Sequence, residues 1–300
     1  MKVCYTTSEI LSAAHNARKQ VLRLAIDRGG CYLGQACSSA DILSTLYMRV
    51  LNLGESLGNP DASSFPGVPG PANMNYPKGS LYNGLAAKET DRFFLSPAHY
   101  AAVLYCVLAE CGRISRSAIN KFNMDGWNME MIGAEHSPGF ENTAGSLGQT
   151  VSIAAGTAHA RKLRGDSGRV VVFLSDGEIQ EGQVWECFQA ASFYRLDNIV
   201  IYVDVNGHQV EGLTKDVMDI EPLSRRLESF GIVPVEVDGH DVEAMAAAAD
   251  TPHSGRPLAV LCRTSCTHGM PFLKQREPYL HFVRFGKDEL AEAEMFYAQE

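Results

Sequence analysis

Two apolar runs near the middle of the chain have the composition of buried β-strands. The first is Val170–Leu174, and the second, Ile199–Val205, begins about thirty residues later. Both are short and rich in β-branched residues, as strands covered on both faces usually are. Between them, Val184–Arg195 has apolar residues at helical spacing. Because a strand–helix–strand crossover is almost always parallel and right-handed, we expect both strands to end at the same edge of one sheet.

The rest of the chain continues this alternation of helical and strand patterns. Apolar periodicity predicts a first helix over Ser8–Asp27 and a closing helix over Gly286–Gln299, and apolar runs predict strands at Ile232–Val237 and Leu258–Cys262. The other predicted segments are a helix capped by Ser38 or Ser39, a helix over Tyr100–Glu110 with Ser96 as candidate cap, a long helix after Gly148, a polar loop over Thr214–Asp219, a helix over Pro222–Phe230 and a helix capped by Asp238. We therefore predict an α/β fold, a doubly wound and mainly parallel sheet flanked by helices, in a single domain of residues 1–300.

One segment, residues 52–89, breaks this regular pattern. It is dense in Pro, Gly, Asn and Ser, as in NPDASSFPGVPGPANMNYPKGS, and it has no periodicity, so we predict a long loop. Phe65, Tyr76 and Tyr82 make the segment more aromatic than an ordinary linker. Our hypothesis is a lid or a contact with a partner, and the alternative is a disordered excursion.

The composition is that of an ordinary globular chain. Hydrophobic residues make up 45% and charged residues 20% of the chain, and the formal net charge is −9. This acidic balance gives no reason to expect a surface for nucleic acid or for an anionic membrane. No stretch approaches the length of about eighteen apolar residues that a membrane span needs. The first ten residues lack the apolar core of a signal peptide, so the cytoplasm is the expected location.

Two other kinds of site are disfavoured because their motifs are missing. The eight cysteines form no CxxC pair. Cys262, Cys266 and His268 could supply three zinc ligands, but structural zinc sites normally need four, so we interpret the cysteines as reduced and mostly buried thiols. No G-x-G-x-x-G follows a predicted strand, which disfavours a nicotinamide-dependent dehydrogenase.

An acid and an amide follow the two central strands directly. Asp176 follows the first strand region and Asn206 follows the second, so both are expected at the carboxyl-terminal edge of the sheet. Open α/β folds bind their ligands at this edge. Carboxylate and carbonyl oxygens are hard ligands that suit Mg²⁺, an ion that proteins usually share with phosphate groups. Gly177 has no side chain, so its backbone can approach a phosphate closely.

The residues around Asp176 resemble a known fingerprint. From Ser175 the chain reads SDGEIQEGQVWE, and Asn206 follows after about thirty residues. An Asp-Gly pair after a strand is usually only a turn. The extended match with the spaced Asn206, however, resembles the motif of thiamine-diphosphate-dependent enzymes, and DGEIQEGQVWE is similar to the transketolase version of it. Ser175 stands where the family usually has glycine, a departure that leaves both metal side chains in place.

The resemblance to transketolases extends from about residue 13 to about residue 290, and it implies the thiamine-diphosphate-binding fold of the diphosphate-binding type. DRFFLSPAH matches a family segment whose histidine, here His99, contacts the diphosphate. The residues implied at the cofactor are His99, Gly145, Ser146, Leu147, Asp176, Gly177, Glu178, Asn206, His208 and His281, and those implied at the metal are Asp176, Asn206 and the backbone carbonyl of His208. The residues implied in catalysis are His99, Glu181, His281 and His268, and those implied at the substrate are Tyr32, His99 and His281.

Two positions depart from the family pattern or leave its assignment open. Tyr32 stands where transketolases carry a substrate-contacting histidine; a phenol can hydrogen-bond but does not take up a proton near neutral pH. Tyr32 could equally be a packed aromatic residue. After the last strand, His268-Gly269 preserves the family's His-Gly pair, whereas His281 preserves the distance from the strand. We prefer His281 and keep both.

The resemblance covers only the amino-terminal half of a transketolase. The other half binds the aminopyrimidine and supplies the glutamate that activates the cofactor. The resemblance therefore implies one subunit of a split transketolase, joined in an α2β2 assembly to a pyrimidine-binding subunit, with Glu181 in the network between the halves. The implied reaction moves a two-carbon ketol unit from a ketose to an aldehyde, with thiamine diphosphate and Mg²⁺. The alternatives are the α-subunit of a 2-oxo-acid dehydrogenase or acyl-transfer enzyme, and a non-catalytic regulatory homologue.

Overall fold

The computed structural model of the chain describes residues 5–68 and 70–299. Cys4, one of the eight thiols, and residue 69 of the predicted long loop lie outside them. The helices are α1 (Thr7–Asp27), α2 (Leu33–Thr45), α3 (Ala101–Glu110), α4 (Gln149–Arg164), α5 (Gly182–Phe193), α6 (Thr214–Val217), α7 (Leu223–Ser229), α8 (Val242–Ala248) and α9 (Lys287–Gln299). The strands are β1 (Arg92–Leu95), β2 (Val170–Ser175), β3 (Ile199–Val205), β4 (His208–Gln209), β5 (Gly212–Leu213), β6 (Val233–Asp238) and β7 (Leu258–Arg263).

Five of these strands form one parallel sheet in the order β1-β2-β3-β7-β6. Val170 pairs with Ile199 and Ser175 pairs with Asp204, so β2 and β3 end side by side. The short strands β4 and β5 form a separate antiparallel hairpin directly after β3. The predicted α/β fold with a mainly parallel sheet is confirmed.

Both faces of the sheet are covered by helices, which explains why its strands are apolar throughout. Val171 and Phe173 of β2 point into a core shared with α1, α2, α3 and α8. Val170, Val172 and Leu174 point to the other face and pack against α4, α5 and α7. A strand buried on both faces needs apolar residues at successive positions and not only at alternate ones.

The second helix begins earlier than the serines predicted. It starts at Leu33 with Tyr32 as the capping residue, and Ser38 and Ser39 lie inside it. Ser39 Oγ donates to the Gln35 carbonyl within the helix and Ser38 Oγ donates to Asp204 of β3, so neither one caps the helix. The apolar surroundings of Leu33 outweigh the local capping signal, as tertiary packing often does.

Two other caps are also corrected. Asp241, and not Asp238, accepts the hydrogen bonds from Glu243 N and Ala244 N that begin α8. Ser96 does not cap α3; a 3₁₀ turn over Ala98–Tyr100 precedes that helix. Asp238 is the last residue of β6, and its Oδ1 accepts a hydrogen bond from His240 N in the turn before the helix.

The predicted loops contain some regular structure. The polar segment 214–219 begins with the one-turn helix α6. The irregular segment 52–89 includes a 3₁₀ turn over Gly79–Asn83, and Tyr82 within it is buried. Across the described residues, no helix combines the length and the apolar character that crossing a membrane requires. The seven described cysteines are all free thiols and six of them are buried, which confirms that interpretation for this part of the chain.

Candidate functional site

Asp176 and Asn206 lie together at the carboxyl-terminal edge of the sheet. Asp176 Oδ1 accepts a hydrogen bond from Gly177 N at 2.8 Å, and its Oδ2 accepts one from Gly207 N at 2.7 Å. Asn206 Oδ1 in turn accepts one from His208 N at 2.9 Å. The two segments that the sequence singled out are therefore joined into one small unit by backbone donors.

A third side chain, Asp204, organises this unit. It is fully buried in β3, and Ser38 Oγ (2.6 Å), Tyr100 Oη (2.8 Å) and Thr264 Oγ1 donate hydrogen bonds to it. Asn206 Nδ2 donates to the same carboxylate at 2.9 Å. This hydrogen bond fixes the orientation of the Asn206 amide: its nitrogen faces Asp204, and its oxygen faces away from Asp204. Sequence reasoning missed Asp204, although an acid inside an apolar strand run is itself a signal.

The carboxylates of Asp176 and Asp204 lie close together without a compensating positive charge. Burial, followed by the proximity of Asp204, raises the pKa of Asp176 to about 7. Burial likewise raises the pKa of Asp204, although its hydrogen-bond donors act in the opposite direction. Within the described part of the chain, neither side chain has a cationic partner. A bound divalent cation would stabilise both ionised acids, since an opposite charge nearby favours the charged form.

Next to these acids, three aromatic side chains come together from distant parts of the sequence. The rings of His99 and His281 are 4.8 Å apart, and Tyr32 lies 5.2 Å from His99 and 5.3 Å from His281. Gln35 Nε2 lies 2.8 Å from His281 Nδ1 and fixes the orientation of that ring. Burial, followed by the proximity of His281, lowers the pKa of His99 to about 3. Burial also lowers the pKa of His281, so both imidazoles are neutral near pH 7.

A buried glutamate ties the remaining segments of the site together. Glu178 Oε1 accepts hydrogen bonds from Ser96 Oγ and, at 2.8 Å, from Gly148 N. It thus connects the segment before His99 with the amino terminus of α4. Its side chain is fully buried, and burial raises its pKa to about 7. Glu178 Oε2 has no hydrogen-bond partner, which leaves an acceptor beside the Asp176-Gly177 turn.

Comparison with known proteins identifies the family to which this site belongs. A family model described as the transketolase thiamine diphosphate binding domain matches residues 82–300. The chain belongs to this family. A transketolase family protein of Sinorhizobium fredii is 34% identical over 284 residues, which are 93% of this chain and 92% of that protein. One of the subunits of the apulose-4-phosphate transketolase of Actinobacillus succinogenes is 31% identical over 281 residues, with the same coverage.

Solved structures agree with this assignment at the level of the fold. The transketolase of Campylobacter jejuni superposes with a TM-score of 0.76 and 22% sequence identity. The match covers 98% of this chain but only 43% of that one. The transketolase domain described here is therefore similar to less than half of that transketolase chain, and to nearly the full length of the Actinobacillus protein.

The other residues predicted for the transketolase site lie around the acids and the aromatic group. Gly145, Ser146 and Leu147 form the loop that enters α4, and Gly145 has a φ of +127°, a conformation that favours glycine. Gly177, in contrast, has a φ of −61°, so the absence of a side chain matters there for close approach and not for backbone conformation. His208 opens the β4–β5 hairpin, and its Nδ1 lies 2.9 Å from the Asn206 carbonyl oxygen. Glu181 is exposed at the start of α5.

His268 lies in a different group from His281. Its ring stacks on His240 at 3.6 Å, and its Nε2 lies 3.7 Å from Asp41 Oδ2. No ring contact joins it to Tyr32, His99 or His281, all of which are described. The structure of the transketolase domain thus brings His281, and not His268, to the aromatic group of the candidate site.

Asp41, His240 and His268 are residue types that bind metals, but the polar atoms of Asp41 and His240 already have other partners. His240 Nε2 accepts a hydrogen bond from Ser265 N, so its Nδ1 must carry the proton that it donates to Asp41 at 2.7 Å. The Arg18 guanidinium already pairs with the same Asp41 oxygen. A metal would have to displace both partners, and we therefore interpret this group as a structural ion cluster.

Proposed function

We propose that this domain is one subunit of a transketolase that requires thiamine diphosphate and Mg²⁺, and that a separate subunit completes its active site. The observation that carries the proposal is the convergence of Asp176, Asn206, His99 and His281 at one edge of the sheet. The same edge holds two buried acids that lack a counter-ion. A divalent cation shared with a diphosphate fits this set of donors.

Each residue has a distinct role in this proposal. Asp176, the amide oxygen of Asn206 and the backbone carbonyl of His208 would hold the cation. Gly177 and the Gly145–Leu147 loop would meet the diphosphate with their backbone, where no side chain intervenes. Bound thiamine diphosphate supplies the carbon nucleophile on which two-carbon transfer depends. The protein contributes binding and orientation, and Glu178 fixes the segments on which these residues stand.

His99 and His281 are suited to hydroxyl groups of a sugar. A neutral imidazole offers one donor and one acceptor, and it can take up and return a proton as a substrate hydroxyl gains or loses one. Gln35 holds the His281 ring in place through Nδ1, which leaves Nε2 for the substrate side. Tyr32, packed against both imidazoles, would add a hydroxyl that hydrogen-bonds without exchanging a proton near neutral pH.

The proposal of a partner rests on a relative that is named as one subunit of a transketolase. The chain covers 92% of that Actinobacillus protein, whereas it covers 43% of the Campylobacter transketolase chain. We propose that a separate pyrimidine-binding subunit completes the site, and that the two proteins form an α2β2 assembly. The exposed Glu181 would then face that partner and join a hydrogen-bond network across the interface.

The test is a titration of thiamine diphosphate with Mg²⁺, performed on the chain alone and with a candidate pyrimidine-binding subunit from the same organism. Each sample then receives ketose phosphate donors and is assayed for two-carbon transfer to an aldehyde. Cofactor binding with turnover only in the mixture is the expected result. Full turnover by this chain alone would contradict the partner requirement. No cofactor binding in either sample would leave a non-catalytic homologue as the better explanation.

A further inference from the structure

The irregular segment 52–89, called the insertion here, is hydrogen-bonded at several points to one neighbouring loop. This second segment, residues 126–141, is called the support loop. Asn128 N donates to Ser63 O at 3.0 Å, while Ser63 N donates to Asn128 Oδ1 at 2.8 Å. Phe65 N donates to Gly126 O at 2.9 Å. These reciprocal bonds pair the insertion with the support loop in the manner of a short antiparallel ladder.

Two further contacts strengthen this attachment. The Phe65 ring stacks on His136 with a centroid distance of 4.0 Å and an interplanar angle of 13°. His136 is buried, and its Nε2 lies 2.7 Å from Glu130 Oε2 within the same support loop. The ring of Phe65 therefore covers the buried His136 side of this polar pair. Removal of the ring would loosen the pair, because exposure to water weakens an electrostatic contact.

The later part of the insertion holds the other end of the support loop. Gly79 N donates to Glu135 O at 2.7 Å, and Gly139 N donates to Gly79 O at 3.0 Å. A side chain at Gly79 could not fit, since its Cβ would lie 1.9 Å from Ser137 O. Asn83 Nδ2 also donates to Gly139 O at 3.0 Å. The insertion is thus hydrogen-bonded to the support loop near both ends of that loop.

The middle of the support loop contacts the candidate active site. Gly133 N donates to Ala98 O at 3.3 Å, and Ala98 directly precedes His99. On its other side, the Ile132 side chain lies 3.4 Å from the point where a Cβ would stand on Gly145. The support loop therefore contacts the residue before His99, which the proposed function places at the substrate, and it approaches Gly145, which the proposed function places at the diphosphate.

From these contacts we infer that the insertion is an internal brace, in which Phe65 is a positioning residue that sets the affinity of the site for its diphosphate cofactor. The cofactor part of this inference rests on the proposed function. A lid would instead need contacts that can open, and the described part of the insertion is bonded to the support loop at Ser63 and Phe65 and again at Gly79. The brace acts through the ordering of Ala98–His99 and Gly145 and not through contact with the ligand.

The experiment compares wild type with Phe65→Ala in amide hydrogen exchange of the full chain. We expect faster exchange in residues 126–141 and, beyond them, in residues 97–100 and 143–148. Phe65→Tyr keeps the ring and is expected to restore slow exchange. Val68→Ala is the matched control, because Val68 lies in the same insertion and is 76% exposed. Faster exchange confined to the insertion would overturn the inference.

A second measurement follows the cofactor in the complex with the partner subunit. We expect Phe65→Ala to weaken thiamine diphosphate binding about three- to tenfold, the usual range for coupling between distant residues, with kcat at saturating cofactor unchanged. Unchanged affinity would overturn the role in cofactor binding. If wild type itself fails to bind thiamine diphosphate, the proposed function is wrong. The hydrogen-exchange data would still decide whether the insertion is a brace or an independent loop.

Discussion

Asp204 accepts a hydrogen bond from the side-chain nitrogen of Asn206 at 2.9 Å, two residues further along the same strand end. Asp204 is completely buried, and its other donors come from α2, the 3₁₀ turn before α3 and the segment after β7. One carboxylate therefore aligns four elements at the edge of the sheet. It also determines that Asn206 presents its oxygen, and not its nitrogen, on the other side.

Asp204→Asn should weaken Mg²⁺-dependent cofactor binding about tenfold to a hundredfold, the usual cost of losing an outer partner of a metal ligand. An amide at this position would turn its nitrogen toward Thr264 Oγ1 if its oxygen stays with Asn206, and it would remove negative charge near the proposed cation site. A titration of Mg²⁺ at fixed thiamine diphosphate measures the effect. Tyr100→Phe removes one donor and is the milder variant if Asp204→Asn does not fold, and Asp250→Asn is the exposed control. Wild-type affinity in both site variants would contradict the role of Asp204.

His99 should make the stability of the domain depend on pH on the acidic side. Its pKa is lowered to about 3 in the folded state, so between about pH 6.5 and pH 3 the unfolded chain binds the additional proton. Stability is therefore complete above pH 6.5 and is lost as the pH falls. Relative to His99→Gln, the free energy of unfolding of wild type should decrease by about 1 kcal/mol per pH unit below pH 6. Denaturant unfolding at a series of pH values measures this difference, and parallel curves would disprove it.

The two histidines after β7 should behave differently on substitution. His281→Ala removes a ring that contacts His99 and Tyr32, so two-carbon transfer should fall in kcat/KM by about a hundredfold or more, as expected for a lost proton-transfer group. His268→Ala removes a ring stacked on His240, outside the aromatic group, and should leave kcat/KM within about threefold of wild type. Steady-state kinetics of the two variants in the assembled enzyme decide between them. Equal losses would show that the second group also serves the reaction.

Glu178 should be replaceable by glutamine but not by alanine. Glu178→Ala leaves Gly148 N and Ser96 Oγ without their buried acceptor, which should lower the free energy of unfolding by about 2–3 kcal/mol. Glu178→Gln keeps an acceptor oxygen in the same place and should cost less than half as much. Chemical denaturation of the two variants at pH 7 provides the comparison. Equal destabilisation would indicate that the charge of Glu178, and not its hydrogen bonds, stabilises the site.

Much of the fold was predictable because its signals are local. The runs Val170–Leu174 and Ile199–Val205 are strands in the structure, and both ends of the crossover lie where the pattern placed them. Capping was less predictable. Ser38 and Ser39 have the right chemistry for a helix start, but the helix extends back to Leu33, whose side chain is buried. Burial of apolar side chains stabilises the folded chain by more than one capping hydrogen bond does, so the packing decides where the helix begins.

The same distinction between local sequence signals and tertiary packing applies to the candidate site. The sequence by itself determined the parallel strand ends, and with them the juxtaposition of Asp176 and Asn206, because both follow their strands directly. Only the tertiary structure decided that His281 and not His268 joins Tyr32 and His99, since that depends on the path of a long irregular segment. It also decided the partners of Asp204 and the brace formed by the insertion. Contacts between residues far apart in sequence follow from the packing of the whole domain, and no local pattern encodes them.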